Sequence, residues 1–315
     1  MVSWAEETSL DVEYAHAMAP GANLLLVETP VAETIGVAGF PQIVKAENYV
    51  IDHHLADVIS QSLAAAENSF PSKKSLLDLR SAYKNAYRHH VTVLGAAGDW
   101  GASSPSDVSE STYYTHRVAN WPASDPLVTA VGGLALHLNA AGQRLLPDNV
   151  WNENSLLGAP VAGGGADSSV FGRPSYQKGV ASVVGDHRGV PDVSMSASVD
   201  GGALVYWSFP GLPPAYYIIG GTSEATPLFA GFVGVADQLA GHPLGLLNPA
   251  LYKLAAKHAA GIVDITTGEN TVSFVQNGKE YTVPGFVAGP GYDLASGLGT
   301  IDGAKLAPEL VKAIG

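Results

Sequence analysis

The 315-residue sequence contains no cysteine. That excludes a disulfide framework, a thiolate metal centre and a cysteine nucleophile together. Positive charge is scarce: 16 Lys plus Arg stand against 29 Asp plus Glu, a formal net charge of -13 at pH 7. Such a surface repels phosphate backbones and anionic lipid headgroups, so neither a nucleic acid nor a membrane is expected as a partner. No apolar run approaches the roughly 18 to 20 residues that span a bilayer, and Leu24 to Val27 is short and strand-like. Nor does the opening Met1-Val2-Ser3-Trp4-Ala5-Glu6-Glu7 have the basic and then apolar layout of a signal peptide. What the chain does have is apolar material: 46% of residues are hydrophobic and only 14% charged, which provides for a core and excludes disorder. With few basic residues, neutralising the carboxylates in acid builds up little positive self-repulsion, which suits an acidic milieu.

Gly (36) and Pro (20) are spread along the chain and not gathered into a linker, so one domain over residues 1–315 is expected. The runs Asn23 to Val27, Val58 to Ser62, Val91 to Ala96 and Leu127 to Val131 are apolar without alternation, as strands buried on both faces of a parallel sheet should be. Between them lie helical stretches at Glu6 to Met18, Lys73 to His89, Ser223 to Ala240, Pro249 to Ala260 and Asp302 to Ile314. This alternation predicts an α/β layered fold. From Leu134 to Tyr217 the pattern loosens and reads as hairpins and loops.

Chemistry concentrates in four places. Gly220-Gly221-Thr222-Ser223-Glu224-Ala225-Thr226-Pro227 opens an apolar helix, so Ser223 falls at the helix start, where the dipole is positive. A serine there is either an N-cap or a nucleophile. Glu7 and Asp11 are four apart, on one face of a helix. They read either as an acidic turn facing the helix dipole or as a coupled pair able to share a proton. Ala97-Gly98-Asp99 follows the strand ending at Ala96, at the carboxyl end where parallel sheets place their sites. Asp99 is either a turn residue or, if held protonated, a donor to a developing oxyanion. The histidines supply no alternative base on their spacing: His16 points away from Asp11 on a helix, and the pairs His53-His54 and His89-His90 read as structural. Finally, Asp264-Ile265 and Gly289-Pro290-Gly291-Tyr292-Asp293 offer oxygen ligands that suit a hard cation, or form a plain turn.

In this order, Glu7-x-x-x-Asp11, Ala97-Gly98-Asp99 and Gly221-Thr222-Ser223-x-x-x-Pro227 resemble the sedolisin family of serine-carboxyl peptidases. The likeness extends to Trp121-Pro122-Ala123-Ser124-Asp125-Pro126 and to Arg188-Gly189-Val190-Pro191-Asp192-Val193-Ser194. The resemblance implies a subtilisin-like α/β fold, a mainly parallel central sheet with helices on both faces. It also implies an acid-active endopeptidase working through an acyl-enzyme. In it Ser223 is the nucleophile, Glu7 the general base and then acid, Asp11 its proton-sharing partner, and Asp99 the oxyanion acid. One structural Ca²⁺ is implied in the segment of about 261–303, on side-chain oxygens of Asp264 and Asp293 and main-chain oxygens of Ile265, Gly289 and Gly291. Partners implied are a protein or peptide substrate and a propeptide; the expected state is a monomer and the expected location extracellular.

Two departures accompany the likeness. The family carries several dozen catalytic-domain residues and a propeptide before the catalytic Glu, so an exposed sheet edge and apolar helix faces are expected here. And Leu63-Ala64 stands where the family has an aromatic and Gly, on a strand whose backbone pairs with bound peptide, which alters the cleft wall. The competing expectations are a degenerate, inactive homologue, a His-dependent subtilisin-like hydrolase and a noncatalytic binding module.

Overall fold

The computed structural model describes residues 2–32, 36–211 and 213–315. Its centre is a parallel sheet of four strands, β1 (Val58–Gln61), β2 (Thr92–Ala96), β3 (Thr129–Ala135) and β4 (Val193–Ser196), in the spatial order 1-2-3-4. Val58 lies opposite Thr92, Leu94 opposite Thr129 and Val131 opposite Val193. β2 is buried throughout and β3 almost so, as their unbroken apolar runs require. Asn149–Val150 adds a short antiparallel pairing to the end of β3.

Because side chains alternate across a strand, neighbouring residues feed different cores. Val93 joins Phe40, Val44 and Ile51 of α2 (Phe40–Asp52) and Tyr83 of α3 (Ser81–His89) on one face. Leu94 joins the other face, with Phe229 and Val233 of α4 (Thr222–Ala240), Leu251 of α5 (Asn248–Ala255) and Leu306 of α6 (Gly303–Ile314). The α/β fold with helices on both faces of a mainly parallel sheet is therefore present. The first helix, α1 (Val2–Met18), lies along α4. Gly231 permits that approach, since a Cβ there would stand 2.6 Å from Met18 Cβ and 2.9 Å from the Ala15 carbonyl oxygen.

Four expectations are corrected. Asn23–Val27 is no strand: it runs unpaired, with Leu24, Leu25, Leu26 and Val27 each 44–55% exposed, and faces the open edge of β1 across a cavity of about 1920 Å³. Its apolar pattern is that of a buried strand, yet among the described residues no neighbouring strand supplies its hydrogen bonds. The helix expected over Lys73 to His89 is broken into Lys73–Leu77 and α3. Leu79 N–H bonds the Leu76 carbonyl (3.0 Å) and turns the chain. The strand expected from Leu127 begins only at Thr129, because Asp125 holds Leu127 and Val128 in a turn. The helix expected to Ala260 ends at Ala255, with His258 in left-handed backbone (φ 50). Within the stretch read as hairpins, two hairpins are present, at Ala166–Gly172 with His187–Val190 and at β5 (Ala203–Trp207) with β6 (Ala215–Ile219). So is β4, a core strand of the main sheet.

Candidate active site

Three elements converge at the carboxyl end of the sheet: the chain leaving β1 at Ser62, the loop leaving β2 at Gly98-Asp99, and the first turn of α4. α1 lies against that end and presents Glu7 and Asp11 one turn apart. The Ser223 and Ser62 hydroxyls are the neighbours that pull the Glu7 carboxyl down against its burial. Ser62 Oγ donates to Asp11 Oδ1 at 2.6 Å and lies 3.3 Å from the Ser223 carbonyl oxygen. Burial, then the Asp11 carboxyl, pushes Glu7 up to about 8, and Asp99 adds to the push. Asp11 is pushed up to about 7 by burial, with the Ser62 bond pulling the other way. Two acids confined this closely hold a proton between them well above the ordinary carboxylate range.

Asp99 is gripped from α4. Its Oδ1 accepts from the Thr222 N–H (2.7 Å) and the Thr222 hydroxyl (2.7 Å), and Thr222 Oγ1 in turn accepts from the Gly98 N–H at 3.1 Å. Burial holds Asp99 above its usual range while the two Thr222 bonds pull it down. The contact depends on Gly221, whose φ is +107 and where a Cβ would stand 2.7 Å from Asp99 Oδ2.

The structure thus gathers Glu7, Asp11, Asp99 and Ser223, far apart in sequence, around one spot. No imidazole is among the neighbours that act on Glu7. Two further contributors escaped the sequence: Thr222, as the clamp on Asp99, and Ser62, as the bridge between Asp11 and the serine. Their position beside a glycine turn and at a strand end was visible, but their partners lie 123 and 51 residues away.

The calcium candidates form a separate group. Gly291 N–H donates to Asp264 Oδ2 (2.8 Å) and Gly289 N–H to Asp293 Oδ2 (3.0 Å), so both aspartates are tied to the same glycine loop. Asp293 Oδ1 also accepts from the N–H groups of Ala295 and Ser296. Ile265 is buried with Leu134 and Val150 and can offer only its carbonyl. Two carboxylates and main-chain oxygens are a hard donor set that fits Ca²⁺.

The model of the Subtilase family matches residues 6–285. The chain is 33% identical to kumamolisin of Bacillus sp. (strain MN-32) over 97% of its own length and 50% of that protein's. It is 30% identical to sedolisin of Pseudomonas sp. (strain 101) over 85% and 43%, and 31% identical to tripeptidyl-peptidase 1 of Rattus norvegicus over 93% and 50%. It spans, then, about half the length of these relatives. The solved Pseudomonas sedolisin, a serine-carboxyl proteinase complexed with two molecules of pseudo-iodotyrostatin, superposes with a TM-score of 0.79 at 27% identity, covering 98% of this chain and 78% of that one. Family model, relatives and architecture agree, and the chain belongs to the subtilase family as a member of its sedolisin branch.

Proposed function

We propose that this chain is the peptidase part of an acid-active serine-carboxyl endopeptidase that cleaves peptide bonds through an acyl-enzyme on Ser223. The observation that carries the reading is that Glu7 and Asp11, one helical turn apart on α1, meet the first turn of α4, where Ser62 Oγ donates to Asp11 Oδ1 (2.6 Å) and lies 3.3 Å from the Ser223 carbonyl oxygen, with the Ser223 hydroxyl among the groups acting on Glu7. Ser223 Oγ attacks the scissile carbonyl carbon as its proton passes to Glu7, the pair Glu7–Asp11 taking up the charge. Asp99, kept protonated, donates to the oxyanion of the tetrahedral intermediate. Collapse breaks the C–N bond as Glu7 returns the proton to the leaving amine. Water, deprotonated by Glu7, then releases the acyl group.

Base work needs an ionised member of the pair and oxyanion work a protonated Asp99, so activity is bell-shaped in pH. Burial raises Glu7 and Asp11, and repulsion by Asp11 raises Glu7 further, so the rising limb lies at higher pH than an isolated carboxylate near about 4 would give. The group 264–293 would hold one Ca²⁺ through Asp264, Asp293 and the carbonyls of Ile265, Gly289 and Gly291. The ion would supply fixed charge that braces these loops. The peptidase relatives support protein or peptide substrates, and the same reading includes a propeptide partner and an extracellular location; among the described residues no helix is long and apolar enough to cross a membrane.

The test is cleavage of a denatured protein between pH 3 and 8. Cleavage by wild type that disappears in Ser223→Ala and is inhibited by pseudo-iodotyrostatin supports the reading. Equal cleavage by both proteins rules out the nucleophile, and activity that persists in Glu7→Gln and rises through neutral pH indicates a histidine base instead.

A further inference from the structure

Thr222 holds the side chain of Asp99, but the main chain of Asp99 is held by a second set of bonds. The Asp99 carbonyl accepts from the Ala162 N–H (3.0 Å), the Gly98 carbonyl from the Gly164 N–H (2.7 Å), and the Ala162 carbonyl from the Gly101 N–H (2.8 Å). Residues 162–164 thus run along 98–101 as a backing strip, with Trp100 bridged to Ala162. The strip is glycine where it comes closest. A Cβ on Gly164 would stand 2.2 Å from the Ala97 carbonyl oxygen, and one on Gly165 2.0 Å from that of Leu294.

Three successive glycines lose the most conformational freedom on ordering, and they have no side chains with which to anchor themselves. Asn270, fully buried, anchors them. Its Nδ2 donates to the carbonyls of Gly163 (3.2 Å) and Gly165 (3.3 Å), bracketing the glycine that bonds Gly98. Its Oδ1 accepts from the Phe286 N–H at 2.7 Å. Its main-chain carbonyl accepts from the Ala102 N–H (3.1 Å), just past the Asp99 loop. Asn270 therefore ties both the strip and the end of that loop to one point. A side-chain amide suits the task, offering two N–H donors and an acceptor with no charge to bury.

We propose that Asn270 is a positioning residue for Asp99: through 163–165 it fixes the main chain that aims the Asp99 carboxyl at the developing oxyanion. The inference rests on the reading of Asp99 as the oxyanion acid. Asn270→Asp tests it, because the variant keeps the shape and the acceptor for Phe286 but puts an oxygen in place of the N–H donors.

The experiment is a double-mutant cycle. kcat and KM are measured on a peptide substrate at pH 5 for wild type, Asn270→Asp, Asp99→Ala and the double variant, each shown to be folded by its melting curve. Asn270→Asp should lower kcat by about tenfold or more with KM changed less than about twofold, since a misaimed donor forfeits part of the 10² to 10³ that one oxyanion donor supplies. In the Asp99→Ala background the same substitution should change kcat by less than about twofold, because the group it acts through is gone. If Asn270→Asp does not fold, Asn270→Ser, whose shorter side chain carries no amide, replaces it in the cycle. An equal fall in both backgrounds, or a loss that comes through KM, overturns the inference and leaves Asp99 as the oxyanion acid. So does a folded Asn270 variant as active as wild type. An Asp99→Ala chain as fast as wild type overturns the reading of Asp99 itself, and the inference with it.

Discussion

Ser223 sits between two residues with separate tasks. Thr222 clamps Asp99, and Glu224 turns into the wall of β4 and β5, facing the Ser196 hydroxyl and the Ala203 main chain. This division makes the first turn of α4 sensitive to small changes. With Asp99 as the proposed oxyanion donor, Asp99→Ala should lower kcat by about 10² to 10³ with KM little changed, measured on a peptide substrate. Gly221→Ala should also lower kcat, since the new methyl meets Asp99 Oδ2 in a backbone conformation that disfavours it. Its stability, read by urea unfolding, should fall by about 1 to 2 kcal/mol. Glu7, Asp11, Asp99 and Ser223 stand at punctuated positions, a helical i, i+4 pair, a strand end and a glycine turn, where the local sequence left capping and turn roles open and only the resemblance joined the four into one site. Thr222 and Ser62 were given no role, since a hydroxyl announces no partner until the chain has folded.

At the scale of elements, the strand carrying Ser194 was the largest omission. Val193–Ser196 follows a cis Val190–Pro191 bond and sits in a Gly- and Pro-rich stretch, so its four residues gave no pattern to separate them from a loop. Its start is fixed by a charge pair. Arg188, fully buried, meets Asp192, also fully buried, at both carboxylate oxygens. Asp192 further accepts from Tyr252 (2.9 Å) and from the Ala130 N–H (2.8 Å). Arg188→Met should therefore strand a buried carboxylate and cost about 3 to 5 kcal/mol in urea unfolding. The reverse error, Asn23–Val27, has the composition of a strand but lacks the neighbour that would make it one. The glycine loop of 289–291 gives another expected outcome. If the 264–293 group holds Ca²⁺ as proposed, adding Ca²⁺ should raise the melting temperature of wild type by several degrees and leave that of Asp264→Asn unchanged.

Across the whole molecule, burial of acids sets the dependence of stability on pH. Glu7 and Glu47 are pushed up to about 8, and Asp11, Glu224 and Asp237 to about 7, in each case chiefly by burial. The folded chain therefore keeps protons that the unfolded chain releases at about pH 4. Stability is fully present below that point and is lost as pH rises through 7 to 8. The net charge of -13 at pH 7 adds repulsion in the same direction. The urea midpoint should be highest near pH 4 and fall steadily to pH 8. In the variant Glu47→Gln, which removes one such proton, the fall should be shallower. The acidic composition gave the sign of this behaviour in advance; which carboxylates are buried depends on how α1, α2 and α4 pack.

The central claim is that Ser223 is made nucleophilic by Glu7, and the most direct measurement is capture of the acyl-enzyme. Wild type and Glu7→Gln are mixed with a peptide ester at pH 5, quenched in strong acid within a second, digested and mapped by mass spectrometry. The account requires acyl mass on the peptide containing Ser223 in wild type and its loss in Glu7→Gln. Acylation elsewhere, or equal acylation of Ser223 in both proteins, would contradict it.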